Sequence, residues 1–265
     1  MRVHSLYLYP VKSLAGVEVS SFELDDFGPV GDRRWMLVND QGVFVTQRQL
    51  PALARISTGV DNRGVKVHIP GEGRFDLEPG LEEVSVRVWR DRVNALIGPC
   101  PASAAVSRYC DQSLRFVFMP DSTFRRVDPG RVFDHKRVAF ADGFPFLVTN
   151  QASLDELNSR LEQPVDMRHF RPNIVVSGAE PWSEDRWQRA TIGPVSLEMV
   201  KPCSRCVITT VDPDTGTKHP GTEPLRTLST YRKTQDGVIF GQNAVHQAGD
   251  RLTVGDAVVL CQQES

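Results

Sequence analysis

The segment from Lys201 to Gly216 sets two thiols, Cys203 and Cys206, three residues apart, with Arg205 between them and Lys201 just upstream. The run that follows, Val207 to Val211, is β-branched throughout and predicts a strand. The thiols would then sit in a turn entering a strand, where neighbouring cations favour thiolate over thiol. A thiolate is either a nucleophile or a soft metal ligand.

Four chemistries compete for this pair. A zinc site would use Cys203, Cys206 and His219, but the next histidine is His246, far outside finger spacing, and no second Cys-x-x-Cys exists. A thioredoxin-like redox pair needs a helix opening at the cysteines, and the β-branched run argues for a strand instead. Two buried structural thiols are common, although Lys201, Ser204 and Arg205 are poor company for an apolar core. A single thiolate bound to a metal centre that brings its own remaining ligands needs only one cysteine and fits best, although on spacing alone structural packing is the commoner fate of a free cysteine.

Three other constellations suit an anion. Lys12 and Ser13 follow Tyr9-Pro-Val, and Arg33 and Arg34 open a strand after Gly31; both are natural phosphate or carboxylate contacts, although taken alone such side chains are more often solvated surface. Arg171 lies before Pro172 and Asn173, where it can grip an anion or close a surface ion pair. The helix start around Asn150 and Ser153 offers free backbone N–H groups. Asp142, Asp212 and Asp214 read as turn formers. There is no Gly-x-Gly-x-x-Gly, P-loop or Gly-x-Ser-x-Gly, so nothing points to a nicotinamide or nucleoside triphosphate site.

The elements that must carry these residues are mostly short strands separated by turns. Strands are predicted at Val17–Leu24, Gly64–Ile69, Ser85–Ile97 and Leu114–Met119, with a hairpin joining Trp35–Val38 to Val43–Thr46. Further strands are expected at Asn173–Val176, Val195–Val200, Cys206–Val211, Val238–Phe240 and Ala257–Leu260. A short helix fits Pro99–Cys110. A second runs from Ser153 to Leu161, where Ser153 and Glu156 form a capping box and Leu154, Leu157 and Leu161 share a face. The polar run from Pro120 to Arg131 joins two halves, 1–119 and 120–265. The fold class is mostly β (α+β), built as barrels with a few helices.

The chain has 265 residues, 31 basic and 33 acidic, for a formal charge of −2, which argues against electrostatic binding of nucleic acid. No apolar run reaches membrane-spanning length and the start has no signal-peptide layout. Five unevenly spread cysteines make a secreted disulfide framework a poor fit, and cytoplasm is the expected location.

These constellations, in this order, resemble the MOSC superfamily, and within it the subgroup with a preceding MOSC N-terminal β-barrel domain, which includes amidoxime-reducing proteins and bacterial reductases of N-hydroxylated compounds. Tyr9 to Gly16 and Gly31 to Trp35 are similar to the N-terminal domain; Phe170 to Val175, Cys203 to Pro213 and Phe240 to Asn243 are similar to the MOSC domain. The resemblance implies an N-terminal β-barrel-like domain at 1–119 packed on a MOSC β-barrel domain at 120–265. It implies a molybdenum cofactor (Mo-molybdopterin) whose metal is bound by Cys206, the catalytic position. The pterin and its phosphate would be held by residues matching Lys12, Ser13, Arg33, Arg171, Asn173, Ser204 and Arg205. Asn150, Ser153 and Asn243 match further contacts, although Asn243 stands where relatives have tyrosine. The implied activity is two-electron reduction of hydroxylamines, amidoximes and N-hydroxylated bases. No clustered cysteines follow toward Ser265 and no membrane-anchoring leader is present, so the expected partners are a small N-hydroxylated substrate and a separate electron donor of ferredoxin or flavin reductase type, with no nucleic acid and no membrane. The alternative function is a molybdenum cofactor carrier or sulfur-transfer protein using a cysteine persulfide; a third reading is an interaction module with structural cysteines.

Overall fold

The structure, a computed structural model, describes residues 1–61 and 64–261; the four residues after Cys261, whose lack of cysteines bears on the expected electron donor, lie outside the described residues. Among those described it is built mainly of strands, with three α-helices at Cys100–Cys110, Gln151–Asn158 and Leu225–Tyr231. The mostly β expectation holds. No helix among the described residues is long and apolar enough to cross a membrane.

The largest sheet has nine strands. Its path runs Val258–Leu260, Arg189–Ile192, Val195–Ser204, Gly237–Ala248, Phe146–Asn150, Ile174–Ser177, Arg2–Leu8 and Val17–Val19, with Lys233–Thr234 paired beside Gly237–Ala248. In Arg2–Leu8, Val3, Leu6 and Leu8 face inward, with an irregularity in register between Val3 and Ser5. The sheet curls until its flanks meet: the Val3 N–H donates to Asp256 O at 2.9 Å and the Val258 N–H donates to Met1 O at 3.0 Å. Leu6, Phe146, Val148, Ile174, Leu197 and Ala244 fill its interior. The first strand thus crosses the 119/120 division and pairs with Ile174–Ser177.

A four-stranded sheet, Trp35–Val38, Arg115–Phe118, Asp91–Ile97 and Glu83–Val88, and a three-stranded one, Ser57–Asp61, Gly64–Ile69 and Gly73–Leu77, make up the other unit. Trp35, Leu53, Ile69, Val106 and Phe116 pack between them and the first helix.

Local departures from the sequence reading have identifiable causes. Val207–Thr210 is a 3-10 turn rather than a strand. Its threonine hydroxyls satisfy carbonyls that a strand would have paired: Thr209 Oγ1 donates to Cys206 O at 2.9 Å and Thr210 Oγ1 to Val207 O at 2.8 Å. The second helix begins earlier than expected, because Asn150 Oδ1 caps it by accepting from the Ala152 N–H at 3.1 Å. No capping box forms, since Ser153 lies inside the helix and its hydroxyl donates to Glu184. The segment 85–97 splits into a hairpin around a two-residue turn at Trp89 and Arg90. Val43–Thr46 forms only isolated bridges, such as Val38 with Phe44.

Candidate functional site

The two units meet around a cavity that gathers residues from distant parts of the chain. Lys12, Ser13, Arg33, Arg171, Asn173, Ser204, Arg205, Cys206 and Asn243 all line it, with Arg48, Asp142 and Phe170. With its open mouth it contains about 790 Å³ of empty space, within the roughly 300–1,000 Å³ of small-molecule sites.

The two cysteines differ in their surroundings. Cys203 stands near the end of the long Val195–Ser204 strand, and its sulfur accepts from Arg205 Nη1 at 2.8 Å. Cys206 is the first residue outside the 3-10 turn. Its carbonyl is used by the Thr209 N–H and hydroxyl, and among the described residues its sulfur has no hydrogen-bond partner. The thiol that the resemblance singled out is therefore partly exposed, lines the cavity and, among the described residues, is unengaged.

The opposite wall is cationic. Arg33 and Arg171 lie on the ring of buried Tyr9, their guanidinium carbons 4.4 and 4.2 Å from its centroid. Arg33 pairs with buried Asp32, donates to Asn173 Oδ1 at 2.9 Å and to Arg171 O at 3.2 Å. Arg171 Nη1 donates to Leu14 O at 2.7 Å. Burial pushes the Arg171 pKa down to about 10, with Arg33 adding to the fall and Tyr9 opposing it. Burial also raises the Tyr9 phenol well above its ordinary value, against the pull of the two arginines. Lys12 is buried and pairs with Asp142; loss of water lowers its pKa to about 8 despite that carboxylate. Asp142 sits in a crevice position that opposes ionisation, yet Lys12, Arg48 at 3.7 Å and the Trp89 indole at 3.2 Å hold its carboxyl below the usual range. Asp142 is thus part of the site, not simply the turn former expected. Arg125 fixes the loop that carries it, donating to the carbonyls of Ala139 and Ala141.

Backbone strain concentrates here. Seven described non-glycine residues have positive φ, and Ser13 (68°), Arg33 (48°) and Arg171 (56°) all line the cavity, while Trp89 (55°) stands at its mouth. Such conformations cost of order 1–3 kcal/mol each and persist when the surroundings over-determine them. The Arg171 turn is held by Phe170, whose ring stacks on Phe240 at 3.8 Å. Next to Phe240, Gly241 lets two strands close: a Cβ there would lie 2.8 Å from Val148 O.

Two predicted contacts lie elsewhere. Asn150 and Ser153 are fully buried and do not line the cavity. Asn150 Nδ2 donates to Glu180 O at 2.7 Å and Glu184 Oε2 at 3.1 Å, and Ser153 Oγ donates to Glu184 Oε2 at 2.8 Å. Both polar groups are consumed in securing the helix. Asn173 lines the cavity but is likewise occupied, accepting from Arg33 and from the Leu147 N–H at 3.2 Å while donating to Tyr7 O at 3.3 Å. Ser204 donates to Asp236 O, and Asn243 Nδ2 donates to Pro202 O at 3.3 Å. Sequence reasoning missed Arg48 and Asp142, because neither stands in a spacing that marks chemistry; only the fold brings them to Lys12.

The cavity lining, among the described residues, sets five cations, Lys12, Arg33, Arg48, Arg171 and Arg205, against the carboxylate of Asp142 beside the unengaged Cys206 thiol, an arrangement that suits an anionic group. Among the described residues no three His, Cys, Asp or Glu side chains converge on a point that could hold a metal ion, so a metal at Cys206 would have to bring its other ligands. Comparison with known proteins agrees with the two-unit build. The MOSC N-terminal beta barrel domain matches residues 1–115 and the MOSC domain matches residues 135–259. Mitochondrial amidoxime-reducing component 1 of Homo sapiens is 38% identical, the match covering 98% of this chain and 83% of that protein. The same component of Mus musculus is 37% identical over 98% and 82%, and mitochondrial amidoxime reducing component 2 of Rattus norvegicus 35% over 97% and 82%. Among solved structures, the YUAD protein from Bacillus subtilis aligns with a TM-score of 0.43 at 10% identity, over 97% of this chain and 93% of that one. The chain belongs to the MOSC family. The cytoplasmic expectation does not stand: these relatives are named as mitochondrial components.

Proposed function

We propose that this chain is a molybdenum-cofactor-dependent reductase of N-hydroxylated compounds such as amidoximes and hydroxylamines, with the metal bound through Cys206. The observation that carries the reading is the unengaged Cys206 sulfur on a wall where five cations face one carboxylate. The relatives' names, amidoxime-reducing components, supply the reaction class. The residues fit the group: a pterin phosphate asks for clustered guanidinium and ammonium donors, and buried Arg205 Nε has no partner among the described residues. Bound, the cofactor supplies the two-electron chemistry.

The chain's residues do the holding. Lys12, Arg33, Arg171 and Arg205 neutralise the anion, with Ser13, Ser204 and Asn243 at its edges. Asn173 acts through Arg33, which it orients. Asn150 and Ser153 brace the helix behind the site. Lys12 Nζ, with its pKa near neutrality, can hold or release a proton at the cavity wall. The balance requires two electrons and two protons per N–OH group reduced to N–H with release of water. We further propose that the electrons come from a separate donor of ferredoxin or flavin reductase type, and that the units divide as 1–119 and 120–265.

The test pairs elemental analysis with turnover of benzamidoxime. About one molybdenum per chain, with fluorescence of oxidised pterin after denaturation, and loss of both metal and activity in Cys206→Ala, support the reading. Cys203→Ala should be milder, since Cys203 is held by Arg205. Full activity without Cys206 would refute it, and a metal-free protein carrying cyanide-labile sulfur would point instead to sulfur transfer.

A further inference from the structure

A second, larger groove continues from the cavity mouth, sharing Asp142, Gly143 and Phe144 with it. Its wall is the Glu83–Val88 and Asp91–Ile97 hairpin. Val86, Val88, Val93 and Ala95 turn into the core, which sends Arg87 and Arg92 outward. These two arginines stand directly opposite each other across the strands. Like charges in that register repel. Neither makes an ion pair or side-chain hydrogen bond among the described residues, and the same is true of Arg90 at the turn and Lys201 on the facing strand. The groove's carboxylates do not relieve them: Asp91 is bound by Arg125 at 2.7 Å, Asp142 by Lys12, and Asp128 accepts from the Gly130 N–H at 3.0 Å.

The turn itself is unusual. In a two-residue hairpin with positive φ at its first position, glycine is the usual occupant. Trp89 takes that place at φ 55°. For a bulky residue this is a strained conformation, tolerated where the side chain has work to do. Its indole is 40% exposed, lies 5.1 Å from the Phe44 ring and donates to Asp142. Phe124, 53% exposed, lines the same groove.

The geometry points to a substrate subsite for a planar N-hydroxylated heterocycle bearing a phosphate, with Phe124 and the exposed part of Trp89, whose ring also carries Arg48 at 4.5 Å, offering aromatic surface and the Arg87–Arg92 pair, with Arg90 and Lys201, receiving the anion. This rests on the reductase reading and narrows its substrates to the nucleotide kind. Aromatic faces beside unpaired guanidinium groups suit such a molecule, and an anion between Arg87 and Arg92 would turn their repulsion into a shared contact.

Titration calorimetry on the holoprotein at low salt, with adenosine and with AMP as unreactive probes, tests it. AMP should bind about tenfold tighter than adenosine, a preference that fades with added salt. The preference should vanish in R87Q/R92Q, while Trp89→Ala weakens both ligands. Because the two arginines repel, R87Q/R92Q should melt no lower than wild type, which separates lost binding from lost folding. In turnover, the ribotide of hydroxylaminopurine should likewise half-saturate the enzyme at a concentration about tenfold below that of the free base. Equal affinities would overturn the proposal. So would a preference that survives in R87Q/R92Q, since the phosphate would then sit on the Lys12–Arg171 wall, or equal half-saturation of ribotide and base beside unequal affinities. Failure of the reductase reading shows separately, in Cys206→Ala, and leaves AMP discrimination in place.

Discussion

Asn173→Ala offers a sharp test, because sequence and structure give that residue different work. Matched to a cofactor contact, its loss should matter chiefly for binding. In the structure its side chain is fully buried and joins three segments: Oδ1 accepts from Arg33 Nη1 at 2.9 Å and from the Leu147 N–H at 3.2 Å, while Nδ2 donates to Tyr7 O at 3.3 Å. Truncation leaves the buried Leu147 N–H, at the cavity wall, without its acceptor, at about 1–3 kcal/mol. Arg33 keeps Asp32 and Arg171 O, so its loss is partial, on the order of 1 kcal/mol. The Tyr7 bond is long and adds little. The sum, about 2–4 kcal/mol, corresponds to a fall of roughly 4–15 °C in Tm for a chain of this size. Differential scanning calorimetry reads it directly. Asn243→Ala, which removes one 3.3 Å bond to Pro202 O, serves as the comparison and should cost about 1 kcal/mol or less. A melt unchanged within a degree for Asn173→Ala would show that the bracing role is wrong.

Three further outcomes follow from the same geometry. Lys12 falls from its ordinary 10.5 to about 8, so between those values the folded protein binds fewer protons than the unfolded one; stability should rise with pH there while the cavity loses a positive charge. Sulfate affinity, measured by calorimetry, should therefore drop with a midpoint near pH 8, and Lys12→Arg should flatten the profile. Burial raises the Glu184 carboxyl despite the hydrogen bonds from Ser153 and Asn150, so folding loses stability as pH climbs past the unfolded value near 4.5. Glu184→Gln should accordingly be at least as stable as wild type at pH 7, the difference closing below about pH 4.5, as urea titrations at the two pH values would show. Gly241→Ala places a Cβ 2.8 Å from Val148 O at φ 76° and should lower stability by about 2–4 kcal/mol in thermal melts.

How far the sequence reads forward depends on whether a feature is local. Local sequence places the strand Gly64–Ile69 and, through its run of small residues, the helix expected at Pro99–Cys110 and found at Cys100–Cys110. The Val207–Thr210 turn escapes it, since threonine hydroxyls rather than propensity settle that backbone. Ser153 and Glu156 have capping spacing, yet Asn150 wins the cap and Glu184 captures Ser153. Lys12, Arg33, Arg171 and Cys206 are reached through the family resemblance, since their types alone read as readily as surface charges and a structural thiol, and the structure gathers them around one cavity. Arg48, Asp142 and Trp89 are not reached: each belongs to the site only because a loop or hairpin folds over Lys12.

The curled main sheet also constrains how the chain can come into being. The strand Arg2–Leu8 is made well before two of its three neighbours, since beside Val17–Val19 it meets Ile174–Ser177 and, at the seam, Asp256 and Val258. One edge of that strand, which carries Val3, Leu6 and Leu8, must wait with only Val17–Val19 beside it until Ile174–Ser177 and then Asp256 have been made. Such long-range closure slows folding and exposes adhesive edges meanwhile. Expressing 1–119 and 120–265 as separate fragments would sever that pairing, so each should clump alone, and soluble material should return only when both are made together.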